Sequence, residues 1–195
     1  MIKASHNTFS YCSPKQWYLK PFAFIAKCQS KALYQQVHEG IKVFDLRLRI
    51  DKDGELVIAH NTFIYVKGFD KIMYILDWLN AESKYSDKQI YVRVLHEVRN
   101  NRQALYSSSI DFNLLCDRLT KDFPNLRFFG GQRTMDWRQD YVFPSKNCIE
   151  YIERHASVRW PKWLHWWPWL YAKLYNKANE RMYESNDIVV FTDFV

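Results

Sequence analysis

Gly40-Ile41-Lys42-Val43-Phe44-Asp45-Leu46-Arg47-Leu48-Arg49-Ile50, followed by Asp51-Lys52-Asp53-Gly54 and Glu55-Leu56-Val57-Ile58-Ala59-His60, is the stretch on which the fold turns. From Val43 to Ile50 apolar and charged residues alternate, which is the period of a strand and not of a helix. Phe44, Leu46, Leu48 and Ile50 form one face; Val43, Asp45, Arg47 and Arg49 form the other. A two-faced strand ordinarily turns its charges to bulk water. The alternative is set by its neighbours. Asp-Gly makes a tight hairpin-like turn, and the next apolar run ends in His60, so a carboxylate, a guanidinium and an imidazole come from adjacent strands. A barrel with outer helices would aim such a charged row into its mouth, where catalytic groups sit.

Around this stretch, 195 residues with 48% hydrophobic and 25% charged content fit one globular domain with a real core. The net charge of +7 favours an anionic partner: a phosphate-bearing substrate, an acidic membrane surface or nucleic acid. Nucleic acid has only charge and aromatics in its favour, with none of the recognition motifs, so none is expected. Cys12, Cys28, Cys116 and Cys148 lack a CxxC pair or metal-like spacing and read as reduced and mostly structural, with a disulfide as the alternative. No basic-then-apolar leader and no membrane-spanning run is legible. A soluble monomer, cytoplasmic or peripheral to a membrane, is the expectation.

Upstream, Ile2 to Ala4 reads as a short strand leading into the polar cluster Ser5-His6-Asn7-Thr8-Phe9-Ser10. The aromatic segment from Trp17 to Ala26 reads as a helix or as a loop over the mouth. Ser30 to Glu39 reads as a helix capped by Ser30 and stopped at Gly40. Downstream, an extended piece is expected over Thr62–Val66, a helix over Phe69–Leu79 with Ile72, Met73, Leu76 and Leu79 on one stripe, and a buried strand over Gln89–His96 ending in Glu97. A helix over Ile110–Lys121, a strand over Leu126–Phe129 broken by Gly130-Gly131, a weaker extended piece near Tyr141–Phe143 and a last strand before Asp193 complete the pattern. Strand, helix, strand with short connections implies a parallel α/β arrangement. Between Arg159 and Tyr171 lie five of the eight tryptophans, and no acidic residue occurs between Glu153 and Glu180. Trp163, Trp166, Trp167 and Trp169 beside lysine and arginine suit a lipid headgroup layer. Helical spacing of Trp163, Trp167 and Leu170 equally allows core packing, and stacking on nucleic acid is a third option.

Together, Ser5-His6-Asn7-Thr8, the helix with Tyr34-Gln35-Gln36-Val37, Gly40 to Leu48 and Leu56 to His60 resemble the catalytic X region of phosphatidylinositol-specific phospholipases C. The motifs cover about the first third of the chain in the family's order, and Asp193-Phe194 resembles the end of its last strand. The resemblance implies an α/β fold, a compact TIM (β/α) barrel of the phospholipase C-like phosphodiesterase type with some helices reduced or missing, spanning 1–195 as a single domain. By the same resemblance His6 matches the general base, His60 the general acid and Asp193 the acid that orients His6. Metal-dependent relatives carry acid-x-acid on the second strand, whereas Asp45-Leu46-Arg47 matches the Asp-x-Arg of metal-independent bacterial members. A guanidinium there supplies fixed positive charge and repels a divalent ion, so no metal cofactor is expected, with Arg47 stabilising the phosphorane and Asp45 pairing with it or with His60. Asn7, Asp45 and Glu97 match calcium-ligand positions, which keeps Ca²⁺ as the alternative.

The resemblance further offers Asn7, Arg93, Glu97, Asp140 and Tyr141 as substrate-binding positions, with an internal salt bridge as the ordinary role for Arg93. The implied substrate is a phospholipid or inositol phosphodiester, split through a cyclic inositol phosphate at a peripheral membrane site. Two competing readings stand beside it. One is a metal-dependent glycerophosphodiester phosphodiesterase, which shares the glycine, the acidic strand and the final histidine but opens with His-Arg-Gly and keeps a carboxylate where Arg47 stands. The other is a membrane-binding barrel without turnover, for which a broken histidine pair would speak.

Overall fold

The computed structural model describes residues 2–86, 88–97, 109–132, 151–153, 167–181 and 189–195. The chain is mixed α/β and gathers into two compact units, Met1–Asp45 with Ile149–Val195, and Leu46–Cys148.

The first unit is built on parallel strands. β1 (Ile2–Ser5) lies between β8 (Val189–Thr192) and the start of β2 (Val43–Ile50), and β7 (Tyr151–Glu153) continues the sheet beyond β8. In the register of these strands Ser5 lies beside Thr192 on one side and beside Phe44 on the other. The next residues are therefore His6, Asp193 and Asp45: His6 and Asp193 follow the carboxyl ends of β1 and β8, and Asp45 lies at the same level within β2. Around this sheet run 3₁₀ turns at Thr8–Tyr11 and Trp17–Phe22, and helices α1 (Ala23–Ala26), α2 (Leu33–His38) and α5 (Pro168–Arg181). Ala4, Val43, Phe44 and Phe191 form its centre, with Tyr171 and Ala172 of α5 packed in.

Helix α2 is shorter than its sequence pattern. Ala32, not Ser30, stands at its N-terminal boundary, and the side chain of Gln35 reaches back so that its Oε1 accepts the Ala32 N–H at 2.9 Å. The Gln35 carboxamide thus satisfies the N–H of the boundary residue, the reciprocal half of a capping box, while no N-cap side chain serves the first turn.

In the second unit the rest of β2 pairs antiparallel with β3 (Leu56–His60), and β3 pairs antiparallel with β4 (Phe63–Lys67). The hairpin-like turn expected at Asp53-Gly54 is present, and the Asp51–Gly54 connection, too short for a crossover, adds antiparallel pairs to the parallel arrangement expected of the chain. Asp51 Oδ1 accepts the N–H groups of Asp53 and Glu55 at 2.8 and 3.1 Å, and Lys67 Nζ bridges Asp51 and Asp53 at 2.8 and 2.6 Å. Helix α3 (Phe69–Tyr85) buries Ile72, Leu76 and Leu79, as their spacing requires, while Met73 is only half-buried. β5 (Ile90–His96) pairs parallel with β6 (Leu126–Gln132), and α4 (Ser109–Asp122) connects toward it, burying Cys116 and Leu119.

Gly130-Gly131 does not break β6. Gly130 sits opposite Val94 with φ of 120°, and a Cβ there would lie 2.2 Å from the Val94 carbonyl oxygen. The glycine allows two backbones to approach closely, a role that a strand can include.

Neither unit closes into a barrel by itself among the described residues. The extended piece expected near Tyr141–Phe143 lies outside them. Cys12, Cys28 and Cys116 are free thiols, and no helix among the described residues is long and apolar enough to cross a membrane.

Candidate active site

The alternation of β2 reads one way in sequence and resolves differently in space. Phe44, Leu46 and Leu48 are fully buried, but so are two members of the charged row, Asp45 at 1% exposed and Arg47 at 6%, while Arg49 is half-buried. The ordinary reading, charges turned to bulk water, is thereby set aside. Buried charges need partners.

In the first unit these partners form a compact set. His6 Nδ1 donates to Asp193 Oδ1 at 2.6 Å, both side chains buried. That is the length of a charge-assisted bond. The backbone bond from His6 N–H to the Thr192 carbonyl, 3.1 Å, carries the β1–β8 pairing one residue further and sets the two side chains against each other. The bond from Nδ1 to a buried carboxylate fixes the orientation of the imidazole.

The signature after β1 has a structural reason at each position. Asn7 turns into the left-handed region, φ 46°, a conformation asparagine tolerates better than most residues, and its N–H donates to Asp45 Oδ2 at 2.9 Å. The Asp45 N–H donates to Thr8 Oγ1 at 2.8 Å, and that hydroxyl donates to the Ser5 carbonyl at 3.2 Å. Asp45 is thus tied to Asn7 and Thr8 through backbone and hydroxyl, so its carboxylate is fixed to the turn that follows His6.

Sequence reasoning missed two residues here. Gln29, fully buried, donates from Nε2 to the carbonyls of His6 (3.0 Å) and Thr192 (2.9 Å) and accepts the Val195 N–H at 3.1 Å. Cys28 lies beside it: its carbonyl accepts the Phe194 N–H at 2.6 Å, and the thiol faces the His6–Asp193 pair. Burial pushes the Cys28 thiol up, the negative charge of Asp193 adds to this, and hydrogen bonds from His6 and Asn7 oppose it, so the thiol stays protonated at neutral pH. No local pattern marks either residue. Their partners lie up to 166 positions away.

In the second unit Arg47 Nη1 lies 3.8 Å from Glu97 Oε2, both groups buried. Glu97 is placed by its own N–H, which donates to the Leu48 carbonyl at 2.8 Å, and its Oε1 accepts the Asn61 N–H at 2.7 Å. Asn61, φ 53°, turns the chain between β3 and β4. His60, half-buried, ends β3 immediately before that turn, so Glu97 anchors the corner that carries it. Arg93 is fully buried within β5. His96 is buried too, and loss of hydration pulls its pKa down against the opposing pull of Glu97.

Of the remaining expected positions, Asp140, Tyr141, Trp163 and Trp166 lie outside the described residues. Trp167 and Trp169 open α5 and are both about half exposed, so core packing does not hold for Trp167. The Trp167 ring lies 6.4 Å from that of Phe24, itself exposed, and Lys173 sits over Trp169 at 5.2 Å. Trp17, Tyr18 and Phe22 of the neighbouring turn are exposed as well.

In the first unit, strands β8, β1 and the start of β2 bring His6, Asn7, Asp45 and Asp193 together on an α/β framework. The solved structures agree. Phosphatidylinositol-specific phospholipase C from Listeria monocytogenes superposes over 99% of this chain and 87% of its own, with a TM-score of 0.65 at 15% identity. A variant of the Staphylococcus aureus enzyme of the same name matches over 99% and 84%, with a TM-score of 0.62 at 13% identity. A further S. aureus structure, from work on the membrane binding of that enzyme, covers 100% and 85% with a TM-score of 0.54 at 14% identity. No protein-family profile matches the chain, and no curated protein does.

Proposed function

We propose that the chain is a metal-independent phosphodiesterase that cleaves phosphatidylinositol or a related phospholipid, with the TIM-type barrel of its structural neighbours as the architecture. The observation that carries this reading is the buried His6–Asp193 bond of 2.6 Å at the carboxyl edge of β1 and β8. In this reading His6 Nε2 takes the proton of the inositol 2-hydroxyl as that oxygen attacks phosphorus. Asp193 holds the imidazole's tautomer and stabilises the cation that forms. His60 donates a proton to the diacylglycerol oxygen as its bond to phosphorus breaks, which leaves a cyclic inositol phosphate. Arg47 supplies positive charge to the phosphoryl oxygens as they accumulate negative charge.

The alternative set for Ca²⁺ fits poorly. Glu97 has the Arg47 guanidinium 3.8 Å away, and Asp45 Oδ2 already accepts the Asn7 N–H. A hard cation needs six to eight oxygen donors and gains nothing beside a fixed positive charge. The same guanidinium speaks against the metal-dependent glycerophosphodiesterase reading.

The half-exposed rings of Trp167 and Trp169, with Trp17 and Phe24 and the exposed Lys15, Lys20 and Lys173, support contact with an anionic lipid surface. The decisive assay is release of inositol phosphate from phosphatidylinositol vesicles with and without chelator. Equal release in both is expected; loss in chelator overturns the metal-free reading, and cleavage of soluble glycerophosphodiesters alone favours the second enzyme. Vesicle co-sedimentation of Trp167→Ala/Trp169→Ala is expected to fall, and unchanged binding removes these rings from the interface.

A further inference from the structure

Three donors of different kinds meet at the His6–Asp193 pair. The imidazole of His6, the thiol of Cys28 and the carboxylate of Asp193 offer ligand atoms that all lie within 4.8 Å of one another, each side chain buried. His6 Nδ1 and Asp193 Oδ1 are 2.6 Å apart, and the Asn7 side-chain amide nitrogen lies 3.8 Å from Cys28 Sγ. From this geometry we infer that the cluster is an inhibitory site for a thiophilic divalent cation such as Zn²⁺.

The donor set selects the ion. Nitrogen, sulfur and oxygen together suit zinc, whereas calcium and magnesium take oxygen alone. Bonds of about 2.0–2.3 Å in a tetrahedral arrangement put ligand atoms roughly 3.3–3.7 Å apart. The Nδ1–Oδ1 separation must therefore open by about 0.7 to 1.1 Å and the longest separation must close by a comparable amount, movements within reach of side-chain torsions. The ion takes the place of the proton between Nδ1 and the carboxylate, that proton moves to Nε2 as the imidazole changes tautomer, and the thiol releases its proton to solvent, so that binding frees one proton in all. Three protein ligands leave a fourth position for water or, after an amide flip, for Asn7 Oδ1.

The tautomer links binding to the proposed reaction. Coordination through Nδ1 leaves the imidazole proton on Nε2, so that nitrogen can no longer accept one from a hydroxyl. Binding of the ion stands on the cluster alone; inhibition rests in addition on the proposed function, and the two are read separately.

Binding is tested with Cd²⁺ alone as the probe, through the ultraviolet thiolate-to-metal charge-transfer band of the full chain. One equivalent is expected to saturate the band, Cys12→Ser is expected to retain it, and Cys28→Ser is expected to lose it. Removal of one ligand is expected to weaken Zn²⁺ at least about 100-fold by calorimetry, in Cys28→Ser and also in Asp193→Asn, which keeps the thiol. Should Cys28→Ser fail to fold, the cadmium-113 resonance of the unaltered chain decides: a shift for one sulfur with nitrogen and oxygen supports the site, and a shift for two or more sulfurs overturns it. A band that survives in folded Cys28→Ser, or no band at millimolar Cd²⁺, overturns it as well. In the vesicle assay micromolar Zn²⁺ is expected to stop inositol phosphate release reversibly, with equal Ca²⁺ without effect. Cd²⁺ binding at Cys28 with full activity in Zn²⁺ overturns the inhibitory role, while binding in a chain with no activity under any condition refutes the proposed function and leaves the site.

Discussion

Replacing Gln29 by leucine tests whether the edge of the first unit that carries His6 and Asp193 is braced from one buried carboxamide. The change keeps side-chain volume and removes three hydrogen bonds: Nε2 to the His6 carbonyl, Nε2 to the Thr192 carbonyl and Val195 N–H to Oε1. A buried neutral hydrogen bond contributes about 0.5–1.5 kcal/mol net. Two of the three are wholly buried. The Thr192 carbonyl keeps the His6 N–H, and Val195 is half-exposed, so both fall at the low end. The expected loss is therefore about 2–3 kcal/mol, which for a chain of this size lowers Tm by roughly 4–12 °C. Urea unfolding followed by tryptophan fluorescence reads it directly. Gln29→Glu separates bonding from packing: a carboxylate facing two carbonyl oxygens offers no donor, so it is expected to cost more than leucine at pH 8. On vesicles, Gln29→Leu is expected to lower kcat more than it raises KM, because the brace acts on His6 and not on lipid. A loss below about 0.5 kcal/mol with kcat unchanged would refute the reasoning.

Asp193→Asn keeps the shape of the His6 partner and removes its charge, so kcat on phosphatidylinositol vesicles is expected to fall by about 10³–10⁴-fold with folding intact by circular dichroism. Arg47→Lys exchanges a forked donor for a point charge; a loss of roughly 10²–10³-fold in kcat is expected, equal with and without chelator. His96 is held below its ordinary value by burial, against the opposing charge of Glu97. The unfolded chain therefore binds the proton first as pH falls, and this contribution to stability, complete above about 6.5, is lost at lower pH. The urea midpoint is expected to drop between pH 7.5 and pH 5, and to drop less in His96→Gln.

What could be read without coordinates was what is local. The strand period of β2, the Asp-Gly turn and the Ile72, Leu76, Leu79 stripe are local signals, and each element they announce is present, although burial along β2 does not alternate and Ile50 of its apolar face is exposed. The Ser5-His6-Asn7-Thr8 signature carried a resemblance whose geometric reason, the ties of Asn7 and Thr8 to Asp45, emerges only when the strands are side by side. Burial of Asp45 and Arg47 was not legible either, because period 2 separates two faces without saying what covers the second. Gly130 looked like punctuation and proved to be clearance for the Val94 carbonyl. Gln29 and Cys28 carry no signal at all, since what they do depends on residues at the other end of the chain.

The parallel pairing of β1 with β8 joins residues 187 positions apart at the His6–Asp193 bond. Strand β8 is the last of the described elements to leave the ribosome, and a nascent chain holding everything through α5 has the imidazole but lacks its carboxylate. Closing so long a loop costs little more in entropy than closing a shorter one, yet it slows the search. A chain assembled this way gains the Asp193 partner of His6 only once β8 has been made, and a cut between α5 and β8 that releases β8 takes that partner away.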